Sequence, residues 1–153
     1  MPYLIDGHNL IPKLGLRLDS PDDEMQLVAI LQEFARLSRR EVQVYFDGAP
    51  PAEARTKKYG LVTAHFVRVG SSADAAIKGQ LRRLGRAARN WSVVTSDRQV
   101  QAAARAAHAG LISSEDFAAQ VGRLRRSADR PAGDTGLPSD DILEWLKLFD
   151  KGK

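Results

Sequence analysis

The strongest constraint on the fold is an alternation of short apolar runs with longer segments of helical spacing. The runs are rich in β-branched and aromatic residues, as strands covered on both faces are. They span residues 3–5, 42–46, 65–69, 92–95 and 111–112. Strands that alternate with helices form α/β domains with largely parallel sheets. We therefore predict an α/β domain with a largely parallel sheet.

Four intervening segments carry apolar residues three and four positions apart, as helices packed on a sheet do. The first opens with Ser20 as the expected N-cap and Pro21 at the first helical position. The last starts at Ser113 or Ser114. The predicted stripes are Leu27, Ile30, Leu31 and Phe34; Ala73, Ala76, Ile77, Leu81, Leu84 and Ala88; Val100, Ala103, Ala104 and Ala107; and Phe117 with Val121.

The chain divides into a main domain and a short C-terminal extension. Residues 1–126 are expected to form one domain, since this length buries a sizeable core. Residues 127–138 are rich in Pro, Gly and Asp and predict a flexible linker. Residues 139–150 are predicted to form an amphipathic helix with its stripe at Ile142, Trp145, Leu146 and Phe149. This helix is expected to pack on its own domain, and homo-oligomer formation through it is the alternative.

Composition restricts the chemistry and the partners. The chain has no cysteine, which excludes disulfides and thiolate nucleophiles and is compatible with a reducing compartment. We found no membrane span and no signal peptide, so we expect a soluble, cytoplasmic protein without a membrane partner. The net charge is +4, and arginine dominates residues 82–130. A polyanionic partner fits this charge, although the cations could also simply solubilise helix faces.

Four carboxylates follow predicted strands at their carboxyl ends. Asp6, Asp47 and Asp97 end three of them, and Asp74 lies in the first turn of the helix after a fourth. Ligands collect at this edge of a parallel sheet, and clustered carboxylates are balanced by divalent cations. Oxygen ligands without cysteine favour Mg²⁺ or Mn²⁺. Taken singly, each acid could instead cap a helix or form a turn.

Two groups of cations could contact a phosphodiester backbone. Lys78, Arg82, Arg86 and Arg89 follow Asp74 at intervals of about one helical turn. The other group is predicted to lie in a loop after Asp47, where Tyr59 could stack on a base or pack on the next strand. It consists of Arg55, Lys57 and Lys58. The alternative for Lys78 is an ordinary ion pair with Asp74.

The turn after the first strand contains His8 and Asn9. His8 has no Ser or Cys partner in view and receives no catalytic role. Asn9 is the better supporting candidate, because its amide can hold a neighbouring carboxylate or a water. His65 and His108 are interpreted as packing residues.

Five motifs together resemble the YacP-like group of NYN-domain proteins, in the PIN-like nuclease superfamily. They are D-G-H-N, V-Y-F-D-G, G-S-S-A-D-x-x-I, V-V-T-S-D-R and A-G-L-I-S-S-E-D-F, and the ending E-W-L-K-L-F is also similar. The resemblance implies a three-layer α/β/α sandwich with a central, mainly parallel sheet. It further implies a Mg²⁺- or Mn²⁺-dependent endoribonuclease that acts on RNA.

The resemblance also assigns roles to individual residues. Asp6, Asp74 and Asp97 match the metal-binding acids, Asn9 matches the amide of the first turn, and Asp47 is an additional candidate acid. Arg98 stands where many PIN-like nucleases carry a further acid, so a two-metal site is not predicted, and Arg98 joins the candidate RNA-binding residues.

Three other functions compete with a nuclease. One is an RNA-binding module of the same fold with little hydrolytic activity, acting on ribosome-associated mRNA or within a decay complex. A phosphatase of the haloacid dehalogenase type would need Asp-x-Asp after the first strand, where this chain has Asp6-Gly7-His8. A nucleotide-binding regulator lacks support, because neither a P-loop nor G-x-G-x-x-G is present.

Overall fold

A six-stranded sheet with the order β3-β4-β2-β1-β5-β6 forms the centre of the molecule. The computed structural model describes residues 2–16 and 21–128. In chain order the elements are β1 (Tyr3–Asp6), α1 (Gly7–Leu10), α2 (Pro21–Ser38), β2 (Val42–Ala49), β3 (Arg55–Tyr59), β4 (Val62–Arg68), α3 (Ala73–Leu84), β5 (Ser92–Val94), α4 (Arg98–Ala106), β6 (Gly110–Ile112) and α5 (Ser114–Ala128). Short 3-10 helices span Ile11–Leu14 and Gly85–Asn90.

The sheet is parallel except at one edge, which confirms the predicted architecture. β1 pairs in parallel with β2 on one side and with β5 on the other, whereas β3 pairs with β4 in antiparallel fashion. The carboxyl ends of β2, β1 and β5 therefore lie side by side. Chain reversals and helix starts converge at this edge, where parallel sheets bind ligands.

Helices cover both faces of the sheet, as the three-layer expectation requires. Along β2, Val44 and Phe46 face one way and Tyr45 the other, because alternate side chains of a strand point to opposite faces. The first face packs against α2 and α5, which contribute Phe34 and Phe117, with ring centroids 4.9 Å apart. The second face packs against α3 and α4. Each layer therefore buries its own hydrophobic cluster against one face of the sheet.

Gly7 allows β1 to turn directly into α1. A Cβ atom built at this position would lie 2.4 Å from Cε1 of Phe46 and 2.9 Å from the backbone oxygen of Tyr45. Only a residue without a side chain permits this approach of α1 to β2. The four residues that the sequence predicts as a turn, beginning at Asp6, are thus the end of a strand and the start of a short helix.

Two predictions about the basic segments were wrong. Arg55, Lys57 and Lys58 lie in strand β3, not in a loop. Their segment has no buried position that would show a strand period, and its pairing with β4 alone defines it. Helix α3 ends at Leu84. Arg86 and Arg89, which were predicted to continue its basic stripe, lie instead in the 3-10 helix Gly85–Asn90.

Helix α5 extends to Ala128, two residues past the predicted domain boundary. The remainder of the predicted linker, the helix at 139–150 and the cap at Ser20 lie outside the described residues. None of the helices in the described ranges is both long and apolar enough to cross a membrane.

Candidate active site

Asp6 occupies the centre of the carboxyl edge, because β1 lies between β2 and β5. The pKa of Asp6 is raised to about 6, mainly by burial and to a smaller extent by the charges of Asp47 and Asp97. The backbone N–H of Asn9 and the ring of His8 oppose this rise in the pKa. The acids of β2 and of the β5–α4 junction thus act on the pKa of the acid that ends β1.

The carboxylates of Asp74, on α3, and of Asp47, on β2, both lie at the start of α3. The helix is capped by Ser72, whose Oγ accepts a hydrogen bond from Ala75 N at 3.0 Å. Asp47 Oδ2 accepts a hydrogen bond from Ala73 N at 3.4 Å. Asp74 Oδ2 pairs with Lys78 Nζ at 3.3 Å, while its Oδ1 is buried without a hydrogen-bond partner in the described part of the chain. One oxygen of Asp74 is therefore available for a ligand.

Asp97 combines an exposed carboxylate with a helix-capping role. Its Oδ1 accepts hydrogen bonds from Gln99 N at 2.8 Å and from Val100 N at 3.3 Å. Its own N–H donates to Thr95 Oγ1 at 3.1 Å, and Thr95 is fully buried. The carboxylate is thus anchored in one orientation at the end of β5.

His8 connects two acids that sequence analysis did not join. Its Nδ1 lies 2.8 Å from Asp47 Oδ1, and its Nε2 lies 2.6 Å from Glu24 Oε2 on α2. The bond to Glu24 raises the pKa of His8, burial lowers it, and Asp47 raises it further. His8 was given no catalytic role from the sequence, because no Ser or Cys partner was in view. Its partners in the structure lie 16 and 39 residues away. The visible signal was limited to a histidine two positions after a strand-end acid.

Asn9 holds the edge together through its side-chain oxygen. Its Oδ1 accepts hydrogen bonds from Ser96 N at 2.8 Å and from Ser114 Oγ at 2.6 Å. Ser96 Oγ donates to Glu115 Oε1 at 2.9 Å, and Glu115 pairs with Lys13 at 3.2 Å. These bonds join α1, the end of β5 and the start of α5. Sequence analysis did not identify the two serines, whose roles depend on distant partners.

The candidate RNA-binding cations fall on two surfaces. Lys78 and Arg82 belong to α3, on one face of the sheet, and Arg98 begins α4 on the same face. Arg86 follows in the 3-10 helix after α3. On the other face, a groove of about 570 Å³ is lined by residues that include His8, Asp47, Arg55, Lys57, Tyr59 and Phe66. Asp47 connects this groove to the carboxyl edge.

The donor chemistry of the edge fits a divalent cation. A cation would offset the burial and the smaller charge repulsion that raise the pKa of Asp6, and it could use the unpartnered Oδ1 of Asp74. Within residues 2–16 and 21–128, no three His, Asp or Glu side chains are arranged to hold a metal ion jointly. Mg²⁺ keeps several waters and commonly uses only one or two carboxylates, so a protein triad is not required.

An α/β sandwich with acids gathered at the carboxyl edge of its sheet has the architecture of PIN-like nucleases. The sequence-family model of the YacP-like NYN domain matches residues 3–140. The chain therefore belongs to that family.

Two solved structures of Rae1 (YacP) from Bacillus subtilis are similar to this chain. One is the structure of a point variant, which matches with a TM-score of 0.70 at 21% sequence identity. The match covers 99% of this chain and 99% of that chain. The other has a TM-score of 0.67 at 23% identity and covers 99% of this chain and 95% of that chain. They support the fold. No curated protein gave a match.

Proposed function

We propose that this chain is a cytoplasmic, metal-dependent endoribonuclease that hydrolyses RNA phosphodiester bonds at the carboxyl edge. The supporting observation is the half-buried carboxylate of Asp6, whose raised pKa reflects burial and two neighbouring acids. Such a carboxylate is costly to keep ionised unless a cation binds it. Membership of a family with a PIN-like nuclease fold supports the same activity.

The chain's own residues would divide the work. Asp6, Asp74 and Asp97 would hold Mg²⁺ or Mn²⁺, directly or through waters that the ion keeps, with Asp47 as an additional ligand. The bound ion would supply Lewis acidity for hydrolysis of the phosphodiester. Asn9 would keep the strand ends in register through Ser96 and Ser114.

The cations on both sides of the edge would position the RNA and neutralise its phosphates. They are Arg55, Lys57, Lys58, Lys78, Arg82, Arg86 and Arg98. Lys78 already pairs with Asp74, so it would have to exchange this partner for a phosphate.

An RNA-binding module with little hydrolytic activity is the second candidate, and ribosome-associated mRNA would be its partner. It is favoured by the lack, in the described ranges, of three side chains arranged to bind one metal ion. It predicts salt-sensitive RNA binding without cleavage, whereas the nuclease predicts cleavage that depends on a divalent ion.

Cleavage assays separate these candidates. Purified wild type and Asp6→Asn are incubated with RNA and with DNA, in Mn²⁺, Mg²⁺ or EDTA. Glu41→Gln is the matched control, because Glu41 is exposed and lies just before β2, at the opposite edge of the sheet. We expect wild type and Glu41→Gln to cleave RNA only with metal, and Asp6→Asn to bind RNA without cleaving it. Equal cleavage by all three proteins would refute the assignment of Asp6.

A further inference from the structure

Strand β3 presents two chemically different faces. Alternate side chains of a strand point to opposite sides. Arg55, Lys57 and Tyr59 line the groove described above. Thr56 lies on the other side, where its Oγ1 is 3.0 Å from Nδ1 of His65, and the alternation places Lys58 on that side too. Two neighbouring lysines of equal charge, Lys57 and Lys58, therefore differ in whether they face the groove.

The groove combines aromatic rings with cations that form no salt bridge among the described residues. Phe66 forms part of its wall and stacks on the buried ring of Phe46, with centroids 5.5 Å apart. Lys57 Nζ lies 5.7 Å from the centroid of the Tyr59 ring. Neither Arg55 nor Lys57 forms a salt bridge with a carboxylate among the described residues, and both are exposed. Aromatic rings beside unpaired cations suit a base and its phosphate.

The groove also leads to the carboxyl edge. Asp47 lines it, and the charge of Asp47 contributes to the raised pKa of Asp6. A nucleic-acid strand leaving the groove past Asp47 would reach the acids directly. Glu24 and Asp47 each direct one oxygen to His8, which lies between them. The carboxylates of Glu24 and Asp47 are therefore already engaged by His8 at one end of the groove. The cations without a salt bridge, Arg55 and Lys57, lie on β3.

We propose that this groove binds one unpaired nucleotide of single-stranded RNA next to the bond to be cleaved. The base packs on Tyr59 and Phe66, and the adjoining phosphate contacts Arg55 and Lys57. The volume of about 570 Å³ is within the usual range for small-ligand pockets. A base inside a duplex is stacked on both faces by its neighbours and cannot stack on Tyr59 and Phe66, so the groove selects single strands. The inference takes its ligand, RNA, from the proposed function.

Binding is measured in EDTA, so that hydrolysis plays no part. The probe is a short single-stranded RNA with one 2-aminopurine, whose fluorescence is quenched when it stacks on an aromatic ring. We expect Tyr59→Leu to lose the quenching and about ten-fold in affinity, and Tyr59→Phe to keep both. Lys57→Ala should weaken binding several-fold and reduce the salt dependence by about one phosphate contact. Lys58→Ala, on the other side of β3, should keep the quenching and weaken binding by a clearly smaller factor. Circular dichroism confirms that each variant is folded.

Equal losses for Lys57→Ala and Lys58→Ala would overturn the proposal, as would unchanged quenching in Tyr59→Leu. A fully paired RNA that binds with the same dependence on Lys57 would also overturn it. The result of the cleavage assay is independent of this binding measurement, which is made without metal. Quenching without metal-dependent cleavage would retain the groove and reject the nuclease, whereas cleavage without groove-dependent binding would do the reverse.

Discussion

Asn9 and Ser96 are joined by a hydrogen bond of 2.8 Å, although 87 residues separate them in the chain. The same Oδ1 of Asn9 also accepts a hydrogen bond from Ser114 Oγ, and Ser114 is fully buried. One amide oxygen thus fixes the turn after β1 against the end of β5 and the start of α5. The position of Asp97 relative to Asp6 depends on this connection.

Asn9→Ala should destabilise the protein by about 2–4 kcal/mol, because it removes both bonds and leaves a buried hydroxyl unpaired. Ser114→Ala is the matched control and should cost about 1 kcal/mol, since the bond to Ser96 remains. Urea unfolding of the three proteins measures the difference. If both variants unfold at the wild-type midpoint, the amide does not hold the edge together.

Asp6→Asn should stabilise the metal-free protein at neutral pH. Burial is the main reason why the folded chain raises the pKa of Asp6 from the ordinary 3.8 to about 6. The folded state therefore binds more protons between these values, and this group lowers stability as the pH rises through them. Asparagine removes that cost, which is on the order of 1–3 kcal/mol above pH 6.

Thermal unfolding in EDTA at several pH values tests this expectation. The advantage of Asp6→Asn should shrink as the pH falls from about 7 towards about 4. Mn²⁺ should stabilise wild type more than the variant, because binding to the folded state alone shifts unfolding. If Asp6→Asn is less stable than wild type in EDTA at every pH, the raised pKa inferred for the buried Asp6 carboxylate is wrong.

His8 and His65 should have pKa values on opposite sides of the ordinary histidine value, with that of His8 above it and that of His65 below it. Contact with Glu24 and Asp47 raises the pKa of His8, while burial, with a smaller contribution from Arg83, lowers the pKa of His65. NMR titration of the ring carbons measures both directly. Glu24→Gln should lower the pKa of His8 and leave that of His65 unchanged. The reverse order of the two values would be incompatible with these contacts.

The raised pKa of His8 also has a consequence for stability. Its contribution is fully present below the unfolded pKa of 6.5 and is lost as the pH rises through the higher folded pKa. His8→Gln should therefore be most destabilising, relative to wild type, in mildly acidic solution. Denaturant midpoints on both sides of pH 6.5 would show this, and a deficit that grows with rising pH would argue against a protonated His8.

Gly7→Ala should destabilise the protein by about 1–3 kcal/mol or prevent folding, because the added Cβ overlaps Phe46 and a backbone oxygen. Gly79→Ala is the control. In α3 the nearest atom to a new Cβ is 3.6 Å away, on the flexible side chain of Arg83. Alanine there should stabilise by about 0.4–1 kcal/mol. Similar unfolding midpoints for the two variants would show that α1 does not depend on its close approach to β2.

Local sequence patterns were sufficient to predict the elements that bury apolar faces. The stripe containing Leu27 and Phe34 defined α2, and the run before Asp6 defined β1, since hydrophobic burial at a fixed period is a local property. The rule that ligands collect at the carboxyl ends of parallel strands also brought Asp6, Asp47 and Asp97 to one edge before their neighbours were known. β3 escaped prediction because it has no buried position and exists through its pairing with β4.

The sequence by itself determined the α/β class, the family resemblance and the strand-end acids, because apolar period and residue order are carried by neighbouring residues. Only the tertiary structure decided that His8 joins Glu24 to Asp47 and that Asn9 joins Ser96 to Ser114. It also decided which cations of β3 face the groove. Hydrogen bonds and ion pairs act over a few ångströms in space. They therefore form only after packing of the sheet and helices has brought distant parts of the chain together.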